Sequence, residues 1–208
     1  MIVGLVLAAG KSTRFGADKR KSLLPNGQFV LAQSIQRARS KLDQIIVVLR
    51  ATDQQFAREL ESQFNDPSIS YYLAPDADKG MAHSLANAIN SLTENPRPLE
   101  GCVIFLGDMP YLSGETVVQL LTTFKHHRSE NPIVVPVIQQ TTAQGAKIRL
   151  PGHPVMFSSA YFAELTQLSG DSGAKSVITR HNEHVVRIEV NDLGILKDVD
   201  RPSDIEAN

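Results

Sequence analysis

The sequence predicts an α/β fold with a mostly parallel central sheet, and three observations support this prediction. Apolar runs rich in β-branched residues alternate along the chain with segments of helical periodicity. The first run, Ile2–Leu7, is continuously apolar, as expected for a strand buried on both faces. The intervening segments are long enough for helices, so we expect right-handed βαβ connections between successive strands.

Five strands and four helices are predicted in order over the first two thirds of the chain. The strands are expected at residues 2–7, 45–49, 69–73, 102–106 and 133–137. The first helix is expected at 30–40, and the second follows a cap at Thr52 or Asp53. A third begins near Gly80, and a fourth covers 115–127. In the third, the apolar stripe consists of Met81, Leu85, Ala88, Ile89 and Leu92.

The C-terminal third is less regular. It predicts a turn at 151–154, helices near 159–168 and 172–180, and strands near 184–190 and 195–199. Repeats, low-complexity tracts and linkers are not evident, so residues 1–208 are interpreted as one domain.

Composition excludes several classes of function. The formal net charge is −1, so the chain offers no global basic field for a nucleic-acid backbone. The sequence contains no apolar run near the ~20 residues that cross a bilayer, and the apolar start at 1–9 lacks the basic residues of a signal peptide. Cys102 is the only cysteine, which suits a reducing compartment. We therefore expect a cytoplasmic protein without nucleic-acid or membrane partners.

The loop after the first strand combines small residues with positive charge. Ala8, Ala9 and Gly10 would let a ligand approach the backbone amides closely. Cations then follow at Lys11, Arg14, Lys19, Arg20 and Lys21. The spacing from Gly4 to Gly10 is wrong for a P-loop. Phosphate binding is one interpretation of this loop, and a solvated charged loop is the other.

Acidic residues mark two later positions. Asp108 directly follows the fourth strand, where the carboxyl end of a strand faces the ligand crevice of an α/β sheet. Asp198 and Asp200 would point the same way in an extended segment. Together these carboxylates could hold Mg²⁺. Alternatively, Asp108 and Asp200 serve as turn or helix-cap residues.

Six short motifs occur in order along the chain. They are Leu-Ala-Ala-Gly-x-Ser-x-Arg-Phe-Gly with a lysine at 7–19, Gly-Met-x-x-Ser-Leu at 80–85, Gly-Asp-Met-Pro at 107–110, Gly-His-Pro-Val at 152–155, Gly-Asp-x-Gly-Ala at 170–174 and Asp-x-Asp-x-Pro at 198–202. In this order they resemble the motifs of the MobA-like NTP transferases, most closely those of the molybdenum cofactor cytidylyltransferases. Three positions depart from the family pattern. Either Lys19 or Lys21 could be the family lysine, Ala88 stands where glycine is common, and Arg201 stands where threonine is common.

The resemblance implies a Rossmann-like nucleotidyltransferase fold with three α/β/α layers, and a role for each matched position. Nucleotide-binding residues would be Leu7, Ala8, Ala9, Gly10, Lys21, Gly80 and Ser84. Arg14, Lys19 and Asp108 would be catalytic, with Mg²⁺ held by Asp108 and by Asp200 in preference to Asp198. His153 and Asp171 would face the acceptor. Residues 1–110 would bind nucleotide and residues 111–208 the acceptor.

The resemblance also implies the reaction. CMP would pass from CTP to a molybdopterin-type acceptor with release of pyrophosphate, and a molybdoenzyme or its chaperone would be the macromolecular partner. The Ala-Ala-Gly form and the Gly-His-Pro turn favour the cytidylyl over the guanylyl branch of the family. The alternatives are another base, a sugar or polyol phosphate acceptor, and a non-catalytic accessory protein that binds nucleotide or cofactor.

Overall fold

A computed structural model describes residues 1–12, 15–93, 98–143, 145–170 and 173–206. The described residues form one eight-stranded sheet in the order β3-β2-β1-β4-β7-β5-β6, with β8 paired to β5. The strands are β1 Ile2–Leu7, β2 Ile45–Arg50, β3 Ile69–Ala74, β4 Gly101–Leu106, β5 Ile133–Thr141, β6 Lys147–Pro151, β7 Val155–Ser158 and β8 Val185–Glu189. The α-helices are α1 Val30–Arg39, α2 Gln54–Phe64, α3 Met81–Thr93, α4 Gly114–His126, α5 Phe162–Leu165, α6 Lys175–Arg180 and α7 Ser203–Glu206.

The sheet is mixed, and its parallel part carries the N-terminal half of the chain. β1 pairs in parallel with β2 and β4, and β2 pairs in parallel with β3. β7 runs antiparallel to both β4 and β5, whereas β8 is parallel to β5. β6 and β7 lie along the same edge of β5, separated by a break at residues 152–154. The predicted, mostly parallel sheet is confirmed.

Helices cover both faces of the sheet, which gives three layers. Alternate residues of the buried strands point to opposite faces, so Val6 and Phe105 belong to one core and Leu5 and Ile104 to the other. Helices α1, α2 and α4 pack on the first core, and α3, α5 and α6 pack on the second. In the described part of the chain, no helix is long and apolar enough to cross a membrane.

The structure corrects the predicted C-terminal third in two places. The strand predicted at 195–199 is wrong, because Leu193–Leu196 form a 3₁₀ helix in which the Asp192 carboxylate accepts the Gly194 amide hydrogen. The strands β6 and β7 were not predicted. The predicted turn is the break between them, where the Gly152 amide still donates to the carbonyl of Pro136 at 2.9 Å.

Candidate active site

The loop after β1 is held in place by Arg20. This side chain is only 5% exposed, and its guanidinium donates to the carboxylates of Asp18 and Asp53 and to the carbonyl oxygen of Ala8 at 3.0 Å. The same group lies 4.9 Å from the centre of the Phe56 ring. Burial lowers the pKa of Arg20, but the two aspartates more than reverse this and raise it above its ordinary value. Arg20 is thus a permanently charged anchor for the loop.

The neighbouring lysine bridges two other aspartates at the bottom of a cavity. The Nζ atom of Lys19 lies 2.6 Å from Asp108 Oδ2 and 2.9 Å from Asp200 Oδ1, and the side chain is 14% exposed. Burial lowers the pKa of Lys19, whereas the two carboxylates raise it, and the net direction is upward. Lys19 is therefore an ammonium ion in contact with both acids.

Three carboxylates converge where β4 ends. The backbone amide of Val199 donates to the carbonyl of Asp108 at 2.8 Å, which holds the C-terminal segment against the strand end. As a result, one ligand oxygen from each of Asp108, Asp198 and Asp200 lies within 4.8 Å of the others. Burial, and then the charges of Asp108 and Asp200, raise the pKa of Asp198 above its ordinary value. The convergence concentrates more negative charge than one lysine can neutralise.

These residues fit a divalent cation. Oxygen-only donor sets with several carboxylates suit Mg²⁺ and similar hard cations. Asp108 Oδ1 is buried and has no hydrogen-bond partner among the described residues, a state that costs free energy unless a ligand satisfies the oxygen. The alternative role of Asp108 as a cap for α4 is not seen, because Ser113 fills that position and accepts the Glu115 amide hydrogen at 3.2 Å.

A cavity of about 720 Å³ opens above Lys19 and the three aspartates. Its far wall begins at Gly80, whose φ of 123° is a conformation that side-chain-bearing residues rarely adopt. Met81 and the buried Ser84 continue that wall along the first turns of α3. Gly10 lines the same cavity, and a Cβ there would meet no atom within 4 Å. The cavity therefore extends from the small-residue loop to the start of α3.

Most of the predicted site residues lie together around this cavity. Its lining includes Leu7, Ala8, Ala9, Gly10, Lys19, Gly80, Ser84, Asp108 and Asp200. Lys21 is absent from the lining found among the described residues. Its Nζ instead lies 2.9 Å from Glu59 on the outer surface and 4.5 Å from the Phe56 ring centre. Arg14 and Asp171 lie outside the described residues.

His153 lies beside the aspartates rather than in the described lining of the cavity. It occupies the break between β6 and β7, and its backbone amide donates to the carbonyl of Ile195 at 2.9 Å. Burial lowers the pKa of His153 below its ordinary value. A hydrogen bond to the backbone of Ile104 and the charges of Asp108 and Asp198 act in the opposite direction but do not outweigh burial. Its Nδ1 is buried and lacks a hydrogen-bond partner in the described part of the chain. A role for His153 toward the acceptor stays a prediction.

Sequence reasoning missed two contributors to the site. Met81 was assigned to the buried stripe of α3, but it is 48% exposed and lines the cavity, because it is the first residue of the helix. The available signal was its place in the Gly-Met-x-x-Ser-Leu motif, between Gly80 and Ser84, which were both predicted to bind nucleotide. The second contributor is the pair of Arg20 and Asp53. These residues are 33 positions apart, so no local sequence pattern indicates that they are in contact.

A layered α/β fold with a cavity lined by small residues, a lysine and clustered carboxylates is typical of nucleotide-binding proteins. The MobA-like NTP transferase domain family matches residues 4–185. The chain belongs to this family, and the predicted Rossmann-like nucleotidyltransferase fold is confirmed.

Three relatives illustrate the similarity. The purine catabolism protein PucB of Bacillus subtilis is 27% identical over 99% of this chain and 94% of its own length. A probable molybdenum cofactor guanylyltransferase of Rhodopirellula baltica is 27% identical over 74% of this chain and 68% of its own. The crystal structure of Rv0371c from Mycobacterium tuberculosis H37Rv superposes with a TM-score of 0.74 and 26% identity, covering 99% of this chain and 95% of that one. Rv0371c has also been crystallised with manganese, and that structure matches with a TM-score of 0.63 and 24% identity over 91% of this chain and 87% of the other.

Proposed function

We propose that this protein is a Mg²⁺-dependent nucleotidyltransferase that transfers CMP from CTP to a molybdopterin-type phosphorylated acceptor and releases pyrophosphate. The observation that carries the proposal is the meeting of Lys19, Asp108 and Asp200 at the bottom of a cavity large enough for a nucleotide. The small-residue loop of Ala8, Ala9 and Gly10 lies at one end of that cavity.

Asp108 and Asp200, with Asp198 beside them, are the residues that would hold Mg²⁺. When bound, the ion would neutralise negative charge that builds up on the phosphate oxygens during transfer. The manganese complex of Rv0371c is consistent with a divalent cation in this family. The unpartnered, buried oxygen of Asp108 supports the same assignment from the chain itself.

The remaining chemistry is positioning and charge neutralisation by the protein. An acceptor phosphate oxygen attacks the α-phosphorus of CTP and forms a new phosphorus–oxygen bond. The bond between the α-phosphorus and the oxygen that bridges it to the β-phosphorus breaks, and pyrophosphate leaves with that oxygen. Ala9 and Gly10 would present backbone amides to the triphosphate, whereas Leu7 and Ala8 would line its site, because the Ala8 amide already donates to the Val48 carbonyl at 2.9 Å. Arg14 and Lys19 would neutralise the triphosphate, and of the two candidate lysines the cavity favours Lys19 over Lys21.

The family resemblance suggests where each substrate lies. Gly80 and Ser84 would contact the nucleoside, and both line the same cavity as the loop after β1. His153 and Asp171 would contact the acceptor, as the family resemblance implies. In this proposal residues 1–110 chiefly bind the nucleotide and residues 111–208 chiefly bind the acceptor. Asp200 is an exception, because it belongs to the C-terminal part but contacts Lys19 in the nucleotide site. A molybdoenzyme or its chaperone would receive the product in the cytoplasm.

Transfer of GMP is the second candidate, because one relative is named a guanylyltransferase. The sequence favours CMP through Ala9, which is buried at the edge of the cavity, and through the Gly-His-Pro turn. The base and the acceptor are thus separate parts of the proposal and need separate measurements.

Pyrophosphate release tests both parts. The protein is incubated with Mg²⁺, molybdopterin or molybdenum cofactor, and CTP, GTP, ATP or UTP in turn. We expect pyrophosphate with CTP that depends on the acceptor. Release with GTP alone among the nucleotides would replace the base assignment and keep the enzyme class. Release with a sugar or polyol phosphate, but not with the pterin, would replace the acceptor. Tight CTP binding without pyrophosphate from any acceptor would favour the accessory-protein alternative.

A further inference from the structure

Lys19 occupies the place where a bridging metal ion would be expected. Its Nζ contacts one oxygen of Asp108 and one of Asp200, at 2.6 and 2.9 Å. The same two carboxylates are those we propose as metal ligands, so this inference rests on the proposed function. A cation held by both acids would lie within a few ångströms of the ammonium group, at which distance two positive charges repel strongly in a partly buried site.

The backbone that carries Lys19 is fixed on both sides. The preceding Asp18 caps the 3₁₀ helix Lys19–Lys21 and accepts from the Arg20 backbone amide and from its side chain. Arg20 in turn is tied to Asp53. Movement of the loop would break these buried contacts. Any displacement of the ammonium group must therefore come from rotation of the Lys19 side chain, which has four flexible methylene groups.

The cavity offers the ammonium group a second set of partners. Lys19 lines the same space as Gly10 and Ser12, next to which the triphosphate is proposed to bind. A triphosphate presents several charged oxygens, which can replace Asp108 and Asp200 as hydrogen-bond acceptors for the ammonium group.

We propose that Lys19 is a built-in counter-ion that fills the metal position in the nucleotide-free protein and moves to the triphosphate when the nucleotide binds. The metal then enters with the nucleotide rather than before it. The arrangement offsets part of the negative charge of Asp108 and Asp200 in the absence of substrate, and it couples metal affinity to nucleotide occupancy through one side chain.

Binding of Mn²⁺ to the nucleotide-free protein tests this, with the free ion measured by electron paramagnetic resonance. We expect weak binding to the native protein and binding at least about 10-fold tighter to Lys19→Met, because a positive charge next to the site has been removed. Lys21→Met is the matched control. It makes the same change two residues away, where the ammonium pairs with Glu59, and should alter Mn²⁺ affinity by less than about twofold, because an exposed charge is screened by solvent and salt. Lys19→Gln provides a second variant if Lys19→Met unfolds, as judged by circular dichroism.

The other outcomes separate this inference from the proposed function. Equal Mn²⁺ affinity in the native protein and Lys19→Met, with binding abolished by Asp108→Asn in both, would overturn the counter-ion role and leave the metal site standing. Binding of Mn²⁺ that is unchanged by Asp108→Asn in both backgrounds would remove the metal site itself, and with it both proposals.

Discussion

Lys19 and Arg20 are neighbours in sequence, and each bridges two aspartates, yet they stand in different environments. Arg20 and Asp53 are nearly buried, with side chains 5% and 11% exposed, and the guanidinium also bonds to a backbone carbonyl. Lys19 faces a cavity of about 720 Å³, and one of its partners, Asp108, keeps a buried oxygen without a partner among the described residues. Arg20 also borders that cavity and Asp18 is 34% exposed, but in the described part of the chain no buried polar atom of Arg20, Asp18 or Asp53 lacks a partner. We therefore call the Arg20 cluster closed and the Lys19 cluster open.

The difference follows from the chemistry of the two cations. A guanidinium is a planar fork with five donors, so Arg20 can satisfy Asp18, Asp53 and the carbonyl of Ala8 at once. An ammonium on a flexible chain is a compact charge that changes partners readily. The closed cluster therefore suits a structural role and the open one suits a ligand-binding role, even though both consist of one cation between two acids.

The largest expected effect comes from the open cluster. Asp108→Asn should lower the rate of pyrophosphate formation by ~10²–10³-fold, because it removes a carboxylate proposed to hold the Mg²⁺ that would neutralise the phosphate charge. Stability should change little, since the asparagine keeps the size of the side chain. Steady-state kinetics and thermal unfolding measure the two effects.

Asp43→Asn is the control for Asp108→Asn, since it neutralises an exposed carboxylate in the loop before β2. It should leave the rate at the native level. Native activity in a folded Asp108→Asn protein would show that the open cluster is no more than a structural ion pair, and the contrast with Arg20 would disappear.

The next effect comes from the closed cluster and concerns stability. Arg20→Met should lower the free energy of unfolding by about 3 kcal/mol, because it leaves the carboxylates of Asp18 and Asp53 without their partner. Lys21→Met makes the same change at the exposed pair with Glu59 and should cost about 0–1 kcal/mol. Urea denaturation compares the two variants. Equal losses of unfolding free energy in the two variants would mean that the closed cluster stabilises the fold no more than the exposed Lys21–Glu59 pair does.

Much of the fold could be predicted from the sequence, because the N-terminal half has strong local signals. β1, β2 and β4 are largely buried on both faces and appear as apolar runs, whereas β3 is a half-buried edge strand with β-rich residues. The bounds of β1 and the positions of β2, β3 and β4 agree with prediction. The antiparallel strands β6 and β7 were missed for the opposite reason. β6 is largely exposed and carries charges at Lys147 and Arg149, and β7 has only four residues. β6 therefore lacks a continuous apolar run, and the run of β7, Val155–Phe157, is too short to predict a strand.

The site was predictable to the extent that it consists of residues at strand ends. Asp108 was found because it directly follows an apolar strand, and the loop after β1 because of its composition. The sequence could not predict which basic side chain forms an ion pair with which acidic one. Lys19, Arg20 and Lys21 are consecutive and similarly charged, but the 3₁₀ helix gives each different partners: Asp108 and Asp200 for Lys19, Asp18, Asp53 and the Ala8 carbonyl for Arg20, and Glu59 for Lys21. Only the three-dimensional path of the loop separates them.

The smallest expected effect is the pH dependence of the closed cluster. Burial raises the pKa of Asp53, but Arg20 outweighs it, so the folded-state pKa lies below the ordinary value, and the pKa of Asp18 is lowered in the same way. A carboxyl group with a depressed folded-state pKa contributes stability that is fully present above the unfolded pKa of about 4 and is lost as pH falls below it. The difference in unfolding free energy between the native protein and Asp53→Asn should therefore be constant from about pH 5 to pH 8 and shrink below about pH 4. Urea midpoints measured across this range test the prediction, with Asp43→Asn as the exposed control. A difference that grows as pH falls would contradict an ionised Asp53 paired with Arg20, and the closed cluster would then need another explanation.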